Sequence, residues 1–253
     1  MFFAGYEANF ITYLSNRKYM NHSKKIFATH ASKLSVLSLL VVGTLIPSMM
    51  KFSYADNIGV FPADSKPYGL TYGEWSARFW QWLHSIPKPD SPAADTTGKN
   101  CALKQTGPVW FLPGTFGGTN ERTCTIPAGK AILVSLINVM CSYAEHHLKT
   151  EPDLRACAKA DQDKVTTTSI TLDGVQLNPV RLQSPLFTVT LPPNNALGLK
   201  PQTSPAISDG YWVFLQPLPP GSHTIHSSGS LVDFTTTGTV NFASEAIYHI
   251  TIK

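Results

Sequence analysis

At 253 residues the chain could hold one large domain or two small ones, but its first fifth does not read as a domain. Of its 20 basic and 16 acidic residues, six basic side chains (Arg17, Lys18, Lys24, Lys25, Lys33, Lys51) and one acid, Glu7, precede residue 56. The 14 bases and 15 acids that remain are near neutral and form no basic stripe of the kind phosphate contacts need, so nucleic acid is excluded as an expected partner.

Residues 34–47 (LSVLSLLVVGTLIP) are an apolar run too short for a membrane span, which takes roughly 20 residues. Lys24, Lys25 and Lys33 lie before it and Ser53-Tyr54-Ala55 after it, the pattern of a secretory signal cleaved after Ala55. Residues 1–55 are therefore expected to be a signal peptide region, with Met20 starting its compact form, and 56–253 a single secreted or cell-surface domain. Lys51, behind the apolar run, is the misfit. The rival reading is one uncleaved anchor; it leaves the domain on the same side, so any membrane contact is through this segment.

Residues 71–86 (TYGEWSARFWQWLHSI) predict a helix over about 72–86, with Thr71 and Glu74 as a capping box and Pro87 as the stop. At about 100° per residue, Trp75, Phe79, Trp82 and Ile86 fall on one stripe, a lid for a sheet, and Glu74 and Arg78 are spaced to pair on the wet side. Trp80 lies off the stripe, near His84, and is the candidate surface aromatic. Residues 87–100 are rich in Pro, Asp, Thr and Gly and read as a loop.

The chain then becomes β. Residues 109–112 (VWFL) and 131–139 (AILVSLINV) are apolar on both alternating faces, as in strands covered on two sides, with turn residues at 113–120 between them. A polar, alanine-bearing stretch with Thr150-Glu151-Pro152-Asp153 at its start predicts a short helical insertion over about 150–162. Asp173-Gly174 is a hairpin turn between short strands at 169–172 and 175–178. Further strands are expected at 186–191, 211–215, 223–226, 231–237 and 246–252; in the last, Tyr248, Ile250 and Ile252 face one way and Ile247, His249 and Thr251 the other. The predicted fold is mainly β, a single β-sandwich or jelly-roll-like domain with helical additions, large enough to be stable without a metal.

The four cysteines (Cys101, Cys124, Cys141, Cys157) follow the leader, an even number that in an exported chain favours two disulfides. Three connectivities are open. Pairing Cys101 with Cys124 and Cys141 with Cys157 closes the shortest loops, at the least entropic cost. A zinc site competes, but no C-x-x-C or Cys/His pair has finger spacing.

The strings YGEWSARFWQW with SIP, GPVWFLPGTFGG, RTCTIPAGKA and DGYWVFLQPLPPGSHTIH resemble a family of uncharacterised secreted proteins of archaea and bacteria. The resemblance covers nearly all of the mature chain and implies export and a shared fold. It assigns no activity and no catalytic residue.

Among candidate chemistries, Glu145-His146-His147 with Asp153 combines carboxylate and imidazole, but adjacent histidines diverge and a third ligand is not evident. If Ile225 points inward, alternation puts His223 inside, where Asp209 could meet it, and His226 outside. Pro219-Pro220-Gly221-Ser222-His223 is one residue short of a cupin's second motif, and no H-x-H supplies the first. No G-x-S-x-G elbow is present. Trp80, Trp110, Tyr211 and Trp212 could form a binding platform if exposed, although Trp110 and Trp212 sit in doubly apolar strands.

The leading expectation is a non-catalytic binding module for an extracellular glycan, protein or envelope component, without cofactor or metal. A secreted hydrolase or metal-dependent enzyme built on Asp209, His223, His226, Glu145, His146 and His147 is the alternative, and a surface-assembly block the third. Oligomeric state is not readable from the sequence.

Overall fold

The computed structural model describes residues 59–235 and 238–253, so the leader, its cleavage point and the anchor alternative lie outside the described residues. Ten strands among them form two five-stranded sheets. In the first sheet β1 (Val109–Leu112), β3 (Ala131–Ser142), β8 (Gln202–Leu215) and β6 (Val180–Gln183) lie in that order, and β7 (Phe187–Leu191) also pairs with β8. The second runs β2 (Gly118–Ile126), β10 (Gly238–Ile252), β9 (Gly221–Thr235), β4 (Val165–Leu172) and β5 (Val175–Gln176).

The fold is mainly β, and the two sheets pack face to face. Ile132 and Val134 of β3, Val213 and Leu215 of β8, Ile225 of β9 and Tyr248, Ile250 and Ile252 of β10 share one buried cluster. The alternation expected for 246–252 therefore points as the sequence implies. β1 and β2 alternate between the sheets, so each comes to lie parallel to a later strand, β1 beside β3 and β2 beside β10. That arrangement departs from an all-antiparallel jelly roll.

A helix, α1 (Tyr72–His84), covers the other face of the first sheet, which is why β1, β3 and β8 are apolar on both sides. Thr71 caps it reciprocally with Glu74, as predicted, and the stripe of Trp75, Phe79, Trp82 and Ile86 is buried against Phe111, Leu133 and Phe214. The helix stops two residues earlier than expected, at the Ser85 cap. Glu74 does not reach for Arg78; its Oε2 accepts from the Thr71 N–H and hydroxyl at 2.8 Å each.

Both disulfides adopt the local pairing, Cys101–Cys124 and Cys141–Cys157. The second ties the end of β3 to α3 (Glu151–Gln162), the predicted insertion, whose Leu154 and Ala158 pack on Ile207 of β8. The intervening one-turn helix α2 (Tyr143–His146) is capped by Ser142. Asp173 and Gly174 take positive φ values of 52° and 80° in the tight β4–β5 turn, as that hairpin requires.

Several strands are longer than expected, and β2 and β6 are additions to the predicted set. β9 is one strand where two are predicted, because its Ser, Gly and Asp residues interrupt the apolar pattern without interrupting the pairing with β10. β2 resembles turn and linker in the sequence because Arg122 occupies an inward position where an aliphatic residue would mark a strand. Arg122 is 1% exposed; its guanidinium donates to the carbonyls of Asp95, Pro113, Gly114 and Ala93 and to the Tyr248 hydroxyl.

Candidate functional site

The polar candidates fall in four separate places. At the first, the end of β3 delivers Cys141, and Ser142 caps α2 so that His146 turns back over it, His146 Nε2 lying 4.0 Å from Cys141 Sγ. His146 Nδ1 is 3.6 Å from Glu145 Oε2. Burial, then the charge of Asp161, pushes the Glu145 carboxyl up to about 7, and burial holds the His146 ring below its ordinary value against the opposing charge of Asp161. His147 diverges, as adjacent histidines do: it closes α2 in the left-handed conformation (φ 54°) and is exposed. Asp153 is engaged in capping α3 with Thr150.

Asp209 lies on the opposite flank of α3. Its side chain is 3% exposed, and Arg181 of β6 grips it with two bonds of 3.0 Å while Gln183 adds a third at 3.3 Å. Arg181 also reaches Asp163 at 2.8 Å. A carboxylate so fully engaged ties α3 and β6 to β8 and has little left to offer a substrate.

His223 points inward, as alternation demands, but its partner is not Asp209. Its Nδ1 is 2.8 Å from Asp173 Oδ2 and its Nε2 3.0 Å from the Pro219 carbonyl, while Asp173 Oδ1 accepts the Thr224 N–H at 2.8 Å. The histidine thus clamps the β4–β5 turn to β9, and both its nitrogens face acceptors.

The fourth place is the outer face of the second sheet. Side chains at alternate positions of β2, β10, β9 and β4 point away from the core and are exposed or half-exposed. In register they form rows: Thr125 beside Thr251 beside Ser222, then Thr123, His249 and Thr224, then Glu121, Ile247, His226 and Thr171, then Thr119, Glu245, Ser228 and Ser169. Two carboxylate–imidazole pairs bridge the rows diagonally. His226 Nε2 meets Glu245 Oε1 at 2.6 Å and His249 Nε2 meets Glu121 Oε1 at 2.7 Å. The Thr119 hydroxyl donates to Glu245 Oε2 at 2.6 Å, and it and His226 hold that carboxyl below its ordinary value.

The aromatic platform does not assemble. Trp110 is 7% exposed and faces the second sheet; Trp212 is 1% exposed and faces α1 on the opposite side of the same sheet. Tyr211 is half-buried, and Trp80 lies partly buried against His84 with its ring stacked 5.4 Å away. A shallow concavity of about 470 Å³ opens at the start of α1 beside Lys66, Glu74, Gln183 and Pro185, and none of the candidate residues singled out by the sequence lines it.

Set against protein-family models, curated proteins and solved structures, the chain matches none of them. Its function has to be read from its own groups. Sequence reasoning misses Glu121 and Glu245 as histidine partners and Asp161 as a neighbour of Cys157. The signal for Asp161 is its spacing of four residues from Cys157 on a predicted helix; the two glutamates carry none without the strand register.

Proposed function

We propose that the chain is an exported, disulfide-stapled binding module that takes a polyhydroxylated ligand, a glycan, on the outer face of the second sheet. The observation that carries this reading is the pair of exposed His–Glu couples, His226–Glu245 and His249–Glu121, set among rows of threonine and serine hydroxyls. A carboxylate and an imidazole a few ångströms apart offer acceptors and donors to neighbouring hydroxyls of one sugar ring. A protein partner is favoured less, because stable protein interfaces have an apolar centre and the apolar side chain central to this face is the half-buried Ile247. Export is supported by the two disulfides and by the leader pattern.

The enzyme alternative draws less support. Asp209 and His223 are engaged in bonds that hold strands and turns together, and His226 on β9 stands on a different element from Glu145 and His146 of α2. The test is a glycan array probed with the purified protein and with the double variant Glu121→Ala/His226→Ala. The wild type is expected to select a small set of oligosaccharides and the variant to lose them at least about tenfold, roughly the weight of one charged hydrogen bond. Selective binding that survives the double variant, or no selective binding at all, would remove this reading.

A further inference from the structure

The junction of β3, α2 and α3 carries a cluster that the glycan face does not use. Cys141 Sγ, a nitrogen of His146, Cys157 Sγ and an oxygen of Asp161 all lie within 4.8 Å of one another. Local spacing makes this meeting: Cys157 and Asp161 are one turn apart on α3, and α2 folds His146 back to Cys141. Behind His146 stands Glu145, facing the ring nitrogen turned away from the sulfurs. Metal-bound histidines commonly have such a carboxylate behind them. Glu145 Oε2 and His146 Nδ1 are both buried and neither has a hydrogen-bond partner, so two polar atoms sit beside the cluster without satisfaction.

We propose that reduction of the Cys141–Cys157 disulfide converts this cluster into a tetrahedral site for a zinc-class divalent ion, with Cys141, Cys157, His146 and Asp161 as ligands and Glu145 orienting His146. Sulfur, nitrogen and oxygen donors in this number suit such an ion. With Zn–S bonds of about 2.3 Å the two sulfurs sit roughly 3.8 Å apart, so each ligand atom has to move by on the order of 1 Å. Two thiolates and Asp161 carry three negative charges against the ion's two positive ones, and beside them stands the Lys164 ammonium, 2.8 Å from Asp161 and 3.1 Å from Asp233.

The opening step is thiol–disulfide exchange with a dithiol reductant. Its thiolate attacks Cys157 Sγ, which is half-exposed where Cys141 is buried, and the S–S bond breaks with Cys141 leaving as thiolate. The reductant's second thiol then displaces Cys157 and closes the reductant's own disulfide. The chain gains two electrons and two protons, and both protons pass to solvent when the ion binds the thiolates. While the disulfide is closed its sulfurs carry no charge for a metal, so the site exists in the reduced chain alone.

Cobalt titration of the purified full chain tests this, before and after a phosphine reductant that does not itself compete as a thiol. The reduced chain is expected to bind cobalt in equal proportion, with thiolate-to-cobalt charge transfer and tetrahedral d–d bands that zinc abolishes; the oxidised chain shows neither. Cys157→Ser, which leaves Cys141 as the one thiolate of the site, weakens both binding and the charge-transfer band, and Glu145→Gln weakens binding by roughly 10- to 100-fold. Spectral silence of the reduced wild type, or equal uptake by the oxidised chain or by Cys157→Ser, overturns the proposal. If reduction alone unfolds the chain, zinc must restore its native circular dichroism, and failure to do so overturns the proposal equally.

Discussion

Arg122 shows how one side chain can hold a surface in place. Its donors serve four backbone carbonyls from two loops and the hydroxyl of Tyr248, which itself donates to the Pro113 carbonyl at 2.8 Å. Arg122→Lys replaces a rigid fork with three donors on a flexible stem and leaves buried acceptors unpaired, at a cost of at least about 2 kcal/mol. Urea denaturation reads this directly; a change within the roughly 0.5 kcal/mol usual for surface positions would contradict it. His84 makes a second, pH-dependent case. It is 4% exposed, neither nitrogen has a partner, and burial draws its imidazole down from 6.5 to about 4. The folded chain then binds fewer protons than the unfolded one between those values, so stability is intact above pH 6.5 and falls as pH drops toward about 4. The loss amounts to about 3 kcal/mol. His84→Phe keeps a ring against Trp80 and is expected to lose less stability than wild type between about pH 7 and about pH 4.5; equal losses would refute the assignment. Residue roles of this kind are poorly legible in the sequence. His223 is expected inward and is, but its Asp173 partner comes from a turn whose position depends on β4 lying beside β9.

At the level of elements, strands and helices that obey their own periodicity are readable, and those carrying a polar residue in the core are not. The α1 stripe and its capping box follow from spacing and local bonds alone, so they need no tertiary information. The disulfide loops are legible for the same reason, since short closures lie within the chain's own reach. β2 depends instead on Arg122 finding carbonyls from distant loops, and β6 on its pairing to β8. The lid itself is testable. Phe79 is 1% exposed and its ring stands 4.9 Å from that of Trp212 and 5.8 Å from that of Phe111. Phe79→Ala empties the centre of the α1–sheet contact and is expected to destabilise the protein by about 3 to 5 kcal/mol. Thr71→Ala, which removes only the cap, should cost about 1 kcal/mol. Thermal or chemical denaturation of the two variants separates them; equal effects would mean that α1 packs loosely on the sheet.

As a whole molecule the described chain has three layers: α1, the first sheet, and the second sheet, with α3 and the Cys141–Cys157 bridge at one end. The first sheet is covered on both faces, whereas the outer face of the second turns His–Glu pairs and rows of hydroxyls to solvent. The overall class is legible because apolar-on-both-sides and alternating strands record which faces are covered. The proposed recognition surface is not, because its histidines and glutamates meet only through the register of β2, β10 and β9. Backbone amide shifts recorded while an array-selected oligosaccharide is titrated into the protein locate the ligand without reference to any variant. If the glycan sits where the His–Glu pairs are, the shifts concentrate in residues 119–125, 222–230 and 243–251. Shifts confined to α1 and the loop after it, or spread without a centre, would contradict recognition by this face.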